Sequence, residues 1–224
     1  VEIHKPKPWR GLREFAKELG TIMLGVLLAL GAEQAVEWLH WQKDVGEARE
    51  ALREEIRSNA YIAAVRAEEG RCYPARLDEM VAWAKGGPPL DTSFGGNARF
   101  AGPVSTVWEI TKAGQTVARM PLKERLAYAQ FYDRVANQQT VIQIERNYVV
   151  RLVRFLGQPS LTPEQRQHLL EDVAEDRTWF QVGRNNNLEL IAKAKTMGVT
   201  PGPFSPRDQG RLTAFCRTTP AQAR

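Results

Sequence analysis

The feature that most constrains this chain is the run LGTIMLGVLLALGA, Leu19 to Ala32, fourteen residues without one ionisable side chain. Fourteen falls short of the ~20 needed to cross ~30 Å of hydrocarbon. The flanks lengthen it. Phe15 and Ala16 precede it, and Ala35, Val36, Trp38 and Leu39 follow, interrupted by Lys17, Glu18, Glu33 and Glu37. Lysine snorkels, and glutamates near an end reach headgroups or are neutralised. Trp9 stands at one end, Trp38 and Trp41 at the other, and a helix from Trp9 to Trp41 would span about 48 Å, near a bilayer with its interfaces. Indoles favour that headgroup level. The pattern predicts a transmembrane helix over 15–39, with Trp9, Trp38 and Trp41 as interfacial anchors.

Two other readings compete. A buried core helix is equally apolar and fits the length of the run. A secretory signal would need a small-residue cleavage site, yet Glu-Gln and a helical pattern follow Ala32. The span is the stronger reading.

Basic residues set the orientation. Lys5, Lys7, Arg10, Arg13 and Lys17 precede the span, whereas Lys43, Arg49, Arg53 and Arg57 are interleaved with acids after it. The positive-inside rule then predicts a basic cytoplasmic tail (1–14) and, in a bacterium, an inner-membrane protein with its C-terminal domain in the periplasm. The net charge of +5 is too small and dispersed to point to nucleic acid. Two cysteines are too few for a disulfide scaffold or a four-cysteine zinc site. In an oxidising compartment Cys72 and Cys216 can pair; two unpaired buried thiols are the other reading.

Beyond the span, Val45, Ala48, Leu52, Ile56, Ala60, Ala63 and Ala64 recur at helical spacing, which predicts a stalk helix and helical extension over 40–85. Gly70 and Pro74 mark a break within it. Residues 86–103 read as a Gly/Pro-rich loop, either a lid or partner-contact loop or a plain connector. A helical bundle with a coil tail is expected over 104–224. Its helices are a short one at 104–112 with Ser105 as cap, one from Pro121 to about Leu156, and one from Thr162 to about Met197. Thr162 is the N-cap, Pro163 takes the first helical position, and Gly198 follows the end. The apolar stripe of the second helix includes Leu122, Leu126, Tyr132, Val135, Ile142 and Leu152, and aromatics such as Trp108, Phe131 and Trp179 read as core. Asn185–Asn187 is a place where the last long helix loosens, and a short turn is expected around Leu212–Cys216. The fold class is all-α.

Few residues invite chemistry. Glu37 and His40 have the E-x-x-H spacing of di-iron bundles, with Glu33 a turn earlier, but there is no second such pair, and Glu164 and His168 are four apart. There is no G-x-S-x-G, H-E-x-x-H or phosphate-binding glycine loop. The expectation is no enzyme, no metal and no cofactor. Glu33 and Gln34 are the polar handle of the span, facing either a partner helix or the headgroups. Gly20, Gly25, Ala29 and Ala32 give small surfaces for close helix approach, without a strict G-x-x-x-G.

The run REFAKELGTIMLGVLLALGAEQAVEW and the later REEIRSNAYIA resemble a family of uncharacterised bacterial single-pass membrane proteins. Glu18, Gly25, Val26, Leu27, Leu28, Ala29, Leu30 and Trp38 fit its span, and Glu55, Ile56 and Asn59 fit its E-[IL]-x-x-N element. Trp108, Gly114 and Tyr132 fit a further segment, in which Ala113 replaces the usual Ser or Thr. The resemblance covers about residues 10–135 and implies topology and helical content. It brings no catalytic residues. The function expected is a non-catalytic, membrane-anchored helical accessory or scaffold subunit, partnered by lipid and by other membrane subunits or itself. The alternative is a periplasmic ligand-sensing module signalling through a partner, since so short a tail holds no output domain.

Overall fold

A computed structural model describes residues 11–88 and 101–216. Trp9, Lys5, Lys7 and Arg10, and most of the expected 86–103 loop, lie outside the described residues. Those described form an all-α protein without strands: α1 (Leu12–Ala84), α2 (Thr106–Ala113), a 3-10 turn (Thr116–Arg119), α3 (Leu122–Val153), α4 (Pro163–Thr196) and α5 (Pro206–Phe215). The chain divides into two units, Val1–Glu47 and Ala48–Arg224.

In the first unit α1 carries the apolar run. The Thr21 hydroxyl donates back to the Lys17 carbonyl at 3.0 Å, and Lys43 pairs with Glu47 one turn on. Both contacts follow from the four-residue spacing that stacks side chains on one helix face.

In the second unit α1 is a core element rather than a free stalk. Leu52, Ile56, Ala60 and Ala63 from the expected stripe are all buried. Further along, Tyr73, Leu77, Met80, Trp83 and Ala84 meet Leu152, Phe155, Leu161, Leu169, Val173 and Phe180 from α3, α4 and the turn between them in one apolar cluster. This explains why Gly70 and Pro74 do not break α1. Proline removes the bond to the carbonyl four residues back, that of Gly70, and costs ~3 kcal/mol. Burying one large side chain recovers ~1.5–3 kcal/mol, and here several are buried beyond the proline. Gly70 answers packing rather than a turn: a Cβ there would meet Arg184 at 3.2 Å and Phe180 at 3.3 Å.

The expected α4 start is present in full. Thr162 accepts from the Gln165 backbone at 3.2 Å while the Gln165 side chain accepts from the Thr162 backbone at 2.9 Å, with Pro163 opening the helix. α4 runs unbroken through Asn185–Asn187, because Asn187 is buried in the bundle. Gly198 follows at φ +72°, a conformation that favours glycine. The tail is more ordered than a turn: Ser205 caps α5, accepting from the Asp208 backbone at 3.1 Å, and Pro206 opens it. Leu122 and Leu126, expected in the α3 stripe, are exposed at 62% and 51%. The buried face of α3 is instead Tyr128, Phe131, Tyr132, Val135, Val141 and Ile142, continuing with polar members. Trp179 is half-buried.

Candidate functional site

The sequence-predicted site residues of the first unit sit on an exposed helix. Its eighteen-residue apolar window is long and apolar enough to cross a bilayer, and none of it is buried. Leu24, Val26, Leu27, Leu28 and Leu30 are more than half exposed. Gly20, Gly25, Ala29, Ala32, Glu33 and Gln34 are exposed too, and a Cβ added at Gly20 or Gly25 meets nothing within 4 Å. Trp38 is 60% exposed. The Trp41 indole donates to Glu37 at 3.2 Å, and His40 faces Asp44 at 3.4 Å. The E-x-x-H pair is thus engaged by local neighbours.

The second unit is organised around polar groups in its interior. Glu55, on α1, accepts from the backbone N–H of Val107 at 2.8 Å and of Trp108 at 3.3 Å, and from the Tyr132 hydroxyl at 2.6 Å. Those amides belong to the first turn of α2, whose orphan donors need a cap. The Ser105 side chain makes no capping bond, because a carboxylate from another helix occupies its role and also meets the positive end of the α2 dipole. One turn on, Asn59 grips Val104 twice, donating to its carbonyl at 2.7 Å and accepting from its N–H at 2.8 Å. Trp108 then stacks on Tyr132 at 5.0 Å and 4°. Burial, then the hydrogen bond to Glu55 and its charge, push the Tyr132 phenol far above the ordinary tyrosine value, so the proton stays on Tyr132.

Arg66 and Glu145 form a buried ion pair between α1 and α3. Tyr73 donates to Asp176 on α4. Arg66, Glu69, Tyr73, Glu145, Arg184 and Asn187 line a cavity of about 10 Å³, the room of one water. α5 closes over this region. Cys72 and Cys216 are disulfide-bonded, Arg211 reaches Glu69 at 3.8 Å, and Asp208 accepts from Tyr61. That bond, followed by one from Ser205, holds Asp208 below the usual carboxylate range.

Sequence reasoning quoted Glu55 and Asn59 only as motif letters and read Trp108 and Tyr132 as core aromatics, which both are; the fold brings all four into one clamp. It missed Arg66, Glu145 and Gly183 altogether. The signal was present: Glu55, Asn59 and Arg66 share the three- and four-residue spacing of Leu52, Ile56 and Ala63, so they occupy buried stripe positions. In the second unit Glu55, Glu69, Glu145, Asp176 and Asp208 are each bound by a donor from another helix. Among the described residues no group of three or more His, Cys, Asp or Glu is placed to hold a metal ion.

No protein-family model, curated protein or solved structure matches the chain. What fold and site define is an all-α protein: a polar-pinned helical unit and, near the N-terminus, one helix long and apolar enough to cross a membrane.

Proposed function

We propose that this chain is a non-catalytic, single-pass membrane-anchored subunit, with 15–39 in the bilayer and the helical unit outside the cytoplasm, as the resemblance to uncharacterised bacterial single-pass proteins implies. In that reading it serves as an accessory or scaffold component of an inner-membrane assembly, with itself or with other membrane subunits. The observation that carries it is the fully exposed apolar window. A surface of that size on a soluble protein would drive aggregation, and a bilayer removes it from water. The excess of Lys and Arg before the window supports a cytoplasmic N-terminus. The Cys72–Cys216 bond supports an oxidising compartment for the rest. The ligand-sensing alternative gains little from the cavity beside Arg66 and Glu145, which is only water-sized; the roomier cleft of about 560 Å³ among the described residues, at Gly102, Pro103, Gln139 and Arg146, lies open to solvent.

Glu33 and Gln34 give the anchor a polar handle for a neighbouring helix. An interhelical hydrogen bond in lipid contributes ~1–2 kcal/mol, so Glu33→Leu should weaken association by roughly ten-fold. Native mass measurement after mild detergent extraction checks this. The parent chain should run as an oligomer or complex and the variant shift toward the single chain; a parent that is already monomeric and alone would reject the subunit role.

A further inference from the structure

The start of α3 and the end of α4 gather round the same stretch of α1. Arg49 donates to Glu124 twice, at 2.8 and 2.7 Å, and Arg53 donates to the Gly198 carbonyl at 3.1 Å. This end of the second unit is also the one closest in chain to the apolar window. Arg49 follows Trp41 by eight residues, and eight residues reach at most about 29 Å however they run.

Its charge is one-sided. From residue 110 to 123 the ionisable residues are Lys112, Arg119 and Lys123, and after Glu189 the last turns of α4 carry Lys193 and Lys195. The acids facing them are engaged: Glu109 holds Lys112 at 2.8 Å, and Glu124 is held by Arg49. On α1, Glu54 is held by Arg57. Beside Lys123, Leu122 is 62% exposed and Pro121 is exposed. An exposed leucine beside Lys123, with further cations at the same end, suits an anionic bilayer surface, where the headgroups attract the cations and the leucine reaches the acyl boundary.

We infer that this basic end, Lys112, Arg119, Leu122, Lys123, Lys193 and Lys195, docks on anionic phospholipid headgroups beside the anchor. The inference rests on the reading that 15–39 spans the bilayer. Docking holds the helical unit against the lipid. It also leaves the far end, with the Gly86 turn, for other contacts.

The full chain is reconstituted in nanodiscs of phosphatidylcholine alone or with phosphatidylglycerol, each containing a headgroup-linked diazirine phospholipid, and the photo-adducts are mapped by mass spectrometry. Adducts should flank the window in both lipids. Adducts at 110–126 should appear with phosphatidylglycerol and fall at least ten-fold without it, since each cation near the surface contributes ~1 kcal/mol and several are engaged. A triple change, Lys112→Gln, Lys123→Gln and Lys195→Gln, should produce a similar fall while the flanking adducts persist. Flanking adducts with 110–126 at background in both lipids overturn the docking and leave the anchor standing, with this basic end then free for an acidic protein. Adducts absent from the window's flanks as well overturn both.

Discussion

Gly183→Ala is expected to destabilise the helical unit by about 2–4 kcal/mol, although alanine is the better helix former by ~1 kcal/mol. Gly183 lies on the buried face of α4. A Cβ there would fall well inside van der Waals contact of the Glu145 carboxylate and 3.2 Å from the Val141 methyl. Glu145 has little room to yield: its side chain is 4% exposed and is paired with Arg66, itself 6% exposed. Moving the carboxylate away from its partner strands two buried charges, and breaking such a pair costs ~3–5 kcal/mol. Denaturant unfolding in detergent measures the loss, with Gly210→Ala as the control. Gly210 is exposed on α5, and its added methyl would meet nothing within 4 Å, so that variant should be neutral or slightly stabilised. Equal behaviour of the two variants would mean that α3 and α4 are not held at the observed approach.

Loss of the Cys72–Cys216 bond is the second large effect. The bond closes a loop over a separation of 144 residues, worth about 5 kcal/mol in the chain-entropy account and commonly ~2–5 kcal/mol when removed. Its structural consequence is local. α5 is a ten-residue helix held otherwise by buried Leu212, Phe215 stacked on Tyr73, the Tyr61–Asp208 bond and the long Arg211–Glu69 pair. A double change, Cys72→Ser with Cys216→Ser, should lower the thermal midpoint by roughly 10 °C. It should raise amide exchange over 206–215 first, while the Glu55–Asn59 clamp on α2 stays protected. Uniform exchange across the unit, or an unchanged midpoint, would contradict this.

The parts legible from sequence were those governed by local rules. The Thr162–Pro163–Gln165 start of α4 declares itself in four residues, because a capping box is a local reciprocal bond. The Leu52–Ile56–Ala60–Ala63 stripe declared one face of α1. Illegible parts depended on neighbours distant in sequence. Whether Pro74 ends a helix was settled by what lies beyond it, Leu77 and Met80, both fully buried. The cap of α2 came from Glu55, fifty residues before Ser105, so the local candidate was passed over. Leu122 and Leu126 looked like core because they are leucines at helical spacing, yet the α3 face toward the bundle is defined by Tyr128 and Tyr132, which meet Trp108. α5 was read as a turn despite Ser205, Pro206 and Asp208, a sound start signal obscured by the prolines before it. Of the site, the motif letters were visible but their meeting point was not, since it joins α1, α2 and α3.

Alkaline carbonate washing of membranes from cells making the full chain, followed by intact mass measurement, addresses the apolar window directly. The account predicts that the chain remains in the membrane pellet, leaves it only with detergent, and keeps residues 15–39. Recovery in the supernatant without detergent, or a mass lacking that segment, would contradict it.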